Sequence, residues 1–387
     1  SNRYTVYIND YLSGTRLSKS ISGVTTWEPG IGGVVEIYVQ ADETTSSVTN
    51  SSFNMEIEGG IVMPYYRLGR DSLNQIQQGN GTFAVLDCVN ARFYVPTSTL
   101  YSENNTCKID DIYNVLLWWQ SAVSFINETL GIASSSRYYT SSVVFGDYQN
   151  IYYDLNQNVC ITYAPSSYFE KTLFYSNLLD GEAWDLLYNI CDYKTKVAGA
   201  NLAGFIPQDS WVNILSAIDL VVMTNPSEDA DIAGNEINWL HDSYMCLNGT
   251  FELLKHPTDE LYQDYYNVMW NAFFINILHA FGLDKTIEII SEYRNETQPL
   301  EVDEFALLIS SVLRSDMSMY FNMFPIMQIS EETKNKMSGN QLYVPVQTKF
   351  TLGSADNTFY LGYTVAMGEK AVFDFGGNIV SLVDGWR

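Results

Sequence analysis

The sequence predicts an α+β protein of several domains. An N-terminal β-sandwich is expected over residues 1–105, a mixed and helical body over 106–325 and a C-terminal β module over 326–387. Three observations point there. A length of 387 residues exceeds what one hydrophobic core usually holds. The first hundred residues are short β-branched and aromatic runs broken by Gly, Pro, Asp and Ser clusters. From about residue 167 to 325, apolar residues recur at intervals of three and four.

The β module comes first. Tyr4-Thr5-Val6-Tyr7-Ile8, Gly33-Val34-Val35-Glu36-Ile37-Tyr38-Val39 and Phe53-Asn54-Met55-Glu56-Ile57 have the composition and partial alternation of strands. Short strands with such punctuation favour a sandwich. A helix then follows from Asp110 to Leu130. Two aspartates stand at its start, Gly131 offers a stop, and Ile112, Val115, Leu116, Ala122 and Ile126 are spaced along one face. Residues 138–165 return to strand character, Ser141-Ser142-Val143-Val144-Phe145 and Val159-Cys160-Ile161-Thr162-Tyr163 among them. Helices are predicted over 181–196, 209–223, 236–254, 259–281, 284–294 and 302–314. Strands resume with Gln341-Leu342-Tyr343-Val344-Pro345-Val346 and Phe359-Tyr360-Leu361-Gly362-Tyr363-Thr364-Val365. There is no internal repeat.

Composition excludes several function classes. A hydrophobic share of 46% with 17% charged residues supplies ample material for a packed interior. A net charge of −25 repels nucleic acid backbones and anionic lipid. No run of about 18 apolar residues is present, so no membrane-spanning segment is expected. The chain opens on Ser1 and shows no signal-peptide pattern, so it reads as a mature form or an excerpt of a longer protein.

Five cysteines, at 88, 107, 160, 191 and 246, form no C-x-x-C pair. Cys88 with Cys107 is the expected disulfide, although spacing alone does not fix connectivity, and Cys191 is the expected free thiol. N-x-S/T sequons stand at Asn50, Asn80, Asn104, Asn127, Asn248 and Asn295. A chain this rich in Asn, Ser and Thr generates a comparable number by chance. The surface style, rich in Tyr, Asn and Ser and poor in Lys, reads as secreted or cell-surface.

Several stretches carry a family resemblance. They are Ile57-Glu58-Gly59-Gly60-Ile61-Val62-Met63-Pro64-Tyr65-Tyr66-Arg67-Leu68-Gly69, Phe93-Tyr94-Val95-Pro96-Thr97-Ser98, Val144-Phe145-Gly146-Asp147-Tyr148-Gln149 and His279-Ala280-Phe281-Gly282-Leu283-Asp284. In this order they resemble the enhancin-like, mucin-degrading metallopeptidases. The resemblance implies a zincin-like (gluzincin) body, a zinc metalloendopeptidase ancestry and a glycoprotein or mucin-type ligand. In that family an active-site helix carries H-E-x-G-H, and a Glu on the next helix completes the zinc site. The matching stretch here is Trp184-Asp185-Leu186-Leu187-Tyr188-Asn189-Ile190-Cys191-Asp192. Tyr188 stands for the first His, Asn189 for the catalytic Glu and Asp192 for the second His. Asp209 falls where the ligand Glu is expected.

These substitutions remove the chemistry. A catalytic zinc takes about three N, S or O protein ligands plus an open position for water. A neutral tyrosine is a poor ligand, and aspartates favour hard cations if any. Without zinc no water is activated near neutral pH. Asn189 cannot act as a general base, a loss of roughly 10²–10⁴-fold in rate. The expectation is therefore a pseudo-peptidase without cofactor, zinc being absent, with Tyr188, Asn189, Asp192 and Asp209 as a vestigial cleft. The bland alternative for Asp192 is a helix carboxylate paired with Lys194 or Lys196; for Tyr188 it is a core or groove-wall ring.

Other constellations add little. The three histidines, His241, His256 and His279, form no catalytic spacing, and His279 reads as a core residue. Residues 228–236 resemble a calcium loop but carry Leu240 at the twelfth position, so a solvated acidic loop is the better reading. No G-x-S-x-G, Walker or dinucleotide motif occurs. Aromatic residues remain as binding resources. Of Trp118, Trp119, Trp184, Trp211 and Trp239, most are expected in the core, because their helices need apolar faces; Trp184 is the one expected to face the cleft, with Trp211 as a candidate second ligand-contact ring. Three functions compete: a non-catalytic surface protein binding glycoprotein, mucin or a protein partner; an active divergent zinc metallopeptidase; and a structural surface or coat protein.

Overall fold

Antiparallel and parallel pairing divide the first 165 residues between two sheets. β1 (Arg3–Asp10) pairs antiparallel with both β2 (Thr15–Ile21) and β3 (Val34–Gln40) to give the order β2-β1-β3. A six-stranded sheet takes β4 (Tyr65–Arg67), β5 (Phe83–Asp87), β6 (Ala91–Pro96), β7 (Ser141–Gly146), β8 (Tyr152–Asn156) and β9 (Val159–Pro165) in the order β4-β5-β6-β7-β9-β8. The β6–β7 and β7–β9 pairs are parallel, whereas β8 returns antiparallel on β9 and forms the outer strand.

The computed structural model describes residues 3–11, 15–21, 24–28, 30, 33–40, 58–71, 75–136, 138–156, 159–197, 206, 208–224, 270–271, 273–274, 277–278, 280–296, 298–322, 324, 327–343, 371–375 and 378–382. The strands expected at 53–57 and 359–365, the helix at 236–254 and most of that at 259–281 lie outside these residues. So do the three histidines, Cys246, the acidic 228–236 segment and the sequons at Asn50 and Asn248. Two compact units divide the chain: Ser1–Phe125 with Ala133–Tyr193, and Ile126–Ile132 with Lys194–Arg387.

In the first unit, strand periodicity sorts the six-stranded sheet into two faces. Register places Tyr66, Leu86, Phe93, Val143, Thr162 and Tyr153 on one face. The first five of these are fully buried. The short α1 (Thr97–Leu100) and helix α2 (Ile112–Thr129), and a 3-10 turn with α3 (Phe169–Leu173) and α4 (Tyr175–Leu179) after β9, follow the strands. The Trp119 ring of α2 lies 5.4 Å from Phe93, and its Nε1 donates to the Thr172 carbonyl at 2.7 Å. The opposite face presents Phe83, Tyr94, Val144, Ile161 and Tyr163, which join Tyr11 and Val34 of the three-stranded sheet in one apolar cluster. Glu36 of β3 accepts hydrogen bonds from both the Tyr11 and Tyr94 hydroxyls, which ties the sheets together.

One pairing crosses the boundary expected at residue 105: β6 pairs with β7 some fifty residues later. A parallel pair needs a crossover, which α2 supplies, and short-range alternation gives no sign of one. The expected Cys88–Cys107 disulfide is absent. Cys88, Cys107, Cys160 and Cys191 are all free thiols. Cys88 is buried, its Sγ donating to the Ala91 carbonyl at 3.2 Å, and burial pushes its thiol up to about 12.

The second unit packs around aromatic rings. α6 (Gln208–Thr224) brings Trp211 within 5.4 Å of Phe274 and 5.0 Å of Tyr293. Tyr293 lies on α7 (Leu283–Asn295), and Phe305 on α8 (Val302–Leu313) meets it edge-on at 5.5 Å. Glu304 closes the start of α8 by accepting from the Glu301 backbone N–H at 3.0 Å. Phe273 stacks on Tyr320 at 4.9 Å, and the Tyr320 hydroxyl donates to the Phe273 carbonyl at 2.7 Å. Beyond these lie α9 (Ser318–Asn322), α10 (Glu331–Met337), the short parallel pair β10 (Ser315–Asp316) with β11 (Gln341–Leu342), and the hairpin β12 (Ala371–Phe375) with β13 (Asn378–Leu382). Within the C-terminal module expected to be β, residues 331–337 are therefore helical.

Candidate functional site

The stretch singled out in the sequence is helical. α5 (Trp184–Val197) carries Asp185 in its first turn and Lys194 and Lys196 in its last, charges that complement the helix dipole. Its apolar side packs inward: Leu186, Leu187, Ile190 and Cys191 are fully buried. Asp185, Tyr188, Asn189 and Asp192 are each half-buried, at the three- and four-residue spacing that puts side chains on one face.

Each polar group on that face has a definite engagement. The Tyr153 hydroxyl of β8 donates to Asp192 Oδ2 at 2.8 Å. One step from Tyr153 across the fold, the Tyr193 ring is 5.8 Å away, and its hydroxyl donates to Ser141 Oγ at 2.6 Å. Burial holds the Tyr193 phenol well above its ordinary range. Two turns back from Asp192, Asp185 Oδ2 accepts the Tyr168 hydroxyl at 3.0 Å. The Lys171 ammonium lies 5.3 Å over the Tyr168 ring. Asn189 Nδ2 donates to the Asp185 carbonyl at 2.8 Å, so its amide closes on its own helix. Tyr188 and Trp184 face each other with ring centroids 6.2 Å apart.

Tyr188, Asn189 and Asp192 thus share a face. Asp209 lies in α6 of the second unit, and its side chain is outside the described residues. Trp184 is only 9% exposed, with its ring beside that of Tyr188. Trp211 takes the core place expected of most tryptophans: it is fully buried between Phe274 and Tyr293. Lys194, one of the two lysines considered as partners of Asp192, is fully buried, and its Nζ donates to Asn127 Oδ1 at 2.8 Å; Lys196, the other, is exposed. Three participants escaped the sequence reading: Tyr153, Tyr168 and Asp185. Asp185 was the findable one, seven residues before Asp192 and on the same helix face.

Comparison with known proteins places this geometry in a fold. No protein-family model matches the chain, and no curated protein matches it. Among solved structures, a functionally unknown conserved protein from Bacillus anthracis str. Ames is 12% identical over 88% of this chain and 69% of that one, with a TM-score of 0.57. A structure of ZmpB from Clostridium perfringens holding its CBM32-1, CBM32-2 and M60 catalytic domains is 11% identical over 88% of this chain and 37% of that one, with a TM-score of 0.53. A ZmpB metallopeptidase structure from the same organism is 11% identical over 97% of this chain and 77% of that one, with a TM-score of 0.51. The likeness is one of fold: the chain is built like an M60-type metallopeptidase.

The donors on α5 do not fit the zinc that the resemblance implies. Such a site draws on imidazole, thiolate and carboxylate ligands. At the motif positions α5 offers one phenol, one amide and one carboxylate, and the carboxylate already accepts the Tyr153 hydroxyl. Among the described residues, no three His, Cys, Asp or Glu side chains converge. No helix among them is long and apolar enough to cross a membrane.

Proposed function

We propose that this chain is a peptidase-shaped binding protein, secreted or displayed at a cell surface, that holds a glycoprotein, mucin or protein partner without cleaving it. The observation that carries the reading is the Tyr153–Asp192 hydrogen bond at 2.8 Å. The carboxylate standing where a second zinc histidine would stand is committed to a neighbouring strand. The same face substitutes an amide for the catalytic carboxylate, and that amide is bonded to its own helix backbone. What remains is a polar, aromatic-lined surface suited to hydrogen bonding and ring contact. The glycoprotein part of the reading comes from the resemblance in the sequence, and the fold likeness to ZmpB supports it.

Capture of immobilised mucin and desialylated glycoprotein by the purified chain tests the proposal, with the ligand examined afterwards for cuts. The reading expects capture, intact ligand and a severalfold loss of capture in Tyr188→Ala. Cleaved ligand identifies an active peptidase. Absence of capture from every glycoprotein removes the glycoprotein part of the reading and leaves a protein partner or a structural surface role.

A further inference from the structure

We infer that the outer face of β8 is an aromatic platform that receives an arginine side chain of a protein partner. This names the chemistry of a partner for the binding reading above, and it uses the sheet face opposite the one that meets α5.

Strand alternation puts Tyr152 and Asp154 on one side of β8 and Tyr153 and Leu155 on the other. Tyr153 reaches Asp192, so Tyr152 points away from α5. Tyr152 is 47% exposed, yet its ring is held firmly. It stacks on Tyr163 at 5.0 Å with 21° between planes and meets Tyr148 edge-on at 5.9 Å. Tyr148 stands edge-on to Tyr163 as well, at 5.2 Å, and its hydroxyl donates to the Tyr11 carbonyl at 2.5 Å. Gly146 makes room for it: a Cβ there would lie 2.7 Å from the Tyr148 ring. One face of Tyr152 is thus backed by a rigid stack and the other is open. Little ordering remains when a ligand arrives.

Carboxylates outnumber cations among the charged groups acting on this stack. The exposed Asp154 carboxylate acts on both Tyr152 and Tyr163, Asp10 on Tyr148 and Glu36 on Tyr163. Burial first, then these carboxylates and neighbouring phenols, pushes Tyr163 up to about 12, so the rings stay neutral and electron-rich. Arg16 is the cation among the groups acting on Tyr163, and its guanidinium sits 3.9 Å over Tyr7 in the three-stranded sheet. The same unit thus already places a guanidinium on a tyrosine face. A second, supplied by a partner, would complement Tyr152: the planar group stacks on the ring while its fork reaches Asp154. A chain of net charge −25 draws such a partner in. β8 is the outer strand, and its outward backbone groups suit an extended peptide rather than a free small cation.

The test uses the full chain and a labelled strand-forming peptide with one arginine flanked by Thr and Val, beside a twin carrying citrulline, which keeps the shape without the charge. Fluorescence anisotropy should show the arginine peptide binding at least about fivefold tighter than its twin, with the gap closing as salt rises. Tyr152→Leu and Asp154→Asn, both exposed and harmless to the core, should each remove the preference. Equal binding of the twins, or a preference that survives both substitutions, overturns the inference. So does competition at Tyr152 by a neutral oligosaccharide that the arginine peptide cannot match. Glycoprotein capture retained by Tyr152→Leu alongside equal peptide binding sinks this inference alone; failure of the wild-type chain to capture any glycoprotein sinks the broader reading and leaves the peptide result to stand by itself.

Discussion

The Tyr153 hydroxyl donates to the Asp192 carboxylate at 2.8 Å and so ties the outer strand of the six-stranded sheet to the exposed face of α5. Both residues are half-buried. A hydrogen bond to a charged acceptor in such a place stabilises by about 1–2 kcal/mol. Tyr153→Phe should lower stability by that amount in urea unfolding, with Asp192→Asn costing less because an amide oxygen still accepts. An unchanged midpoint in Tyr153→Phe contradicts the assignment.

Asp219 on α6 is fully buried, and neither carboxylate oxygen has a hydrogen-bond partner. Burial holds its pKa well above the ordinary 3.8. The folded state therefore binds the proton more tightly than the unfolded chain does. Its contribution to stability is full below 3.8 and is lost as pH rises from there towards the raised folded value. Asp219→Asn keeps the shape and cannot ionise. It should match the wild type near pH 3 and gain on it by about 1.4 kcal/mol per pH unit through that window. A pH-independent difference between the two proteins would exclude this account.

The sequon at Asn127 is unusable in the folded chain. Asn127 is fully buried and accepts the Lys194 ammonium at 2.8 Å, whereas Asn80, Asn104 and Asn295 are exposed. Glycopeptide mapping of folded material secreted from a eukaryotic host should find Asn127 bare whatever the other three carry. Asn127→Ala should cost about 2–3 kcal/mol by withdrawing an acceptor from a buried cation. A glycan at Asn127 in folded protein is incompatible with this packing.

Free, buried thiols predict slow chemistry. Cys88, Cys160 and Cys191 should resist a disulfide-exchange reagent at pH 8 in the native state and react on unfolding. Reducing agent should leave the thermal midpoint unchanged. A midpoint that drops on reduction would restore a disulfide.

Much of the fold was legible because helices announce their period. α2, α5, α6, α7 and α8 lie within about three residues of the predicted helical stretches, each having a continuous apolar stripe. β8 lies within the stretch 138–165 read as strand-like, but its bounds went unmarked for a physical reason. Tyr152, Tyr153, Asp154, Leu155 and Asn156 form an outer strand with both faces partly solvated, so no hydrophobic alternation marks it. β5 likewise lies within the stretch read as β without being marked, and the parallel pairs of its sheet went unforeseen. Parallel pairing joins residues distant in sequence, as β6 and β7 do across α2, and local pattern is silent on such partners. At the site, helical spacing was enough to bring Tyr188, Asn189 and Asp192 to one face. The partners Tyr153 and Tyr168 come from other elements. Which tryptophan faces outward was not legible, because a ring on an amphipathic helix reads the same whether it faces a cleft or a core.

The most direct measurement is elemental analysis of chain purified without chelator, with peptidase assay of the same sample. The account predicts zinc far below one per chain, no cleavage of glycoprotein or casein, and no change in either when Asp192 is replaced by Ala. One tightly held zinc per chain, lost together with peptide-bond cleavage in Asp192→Ala, would contradict it.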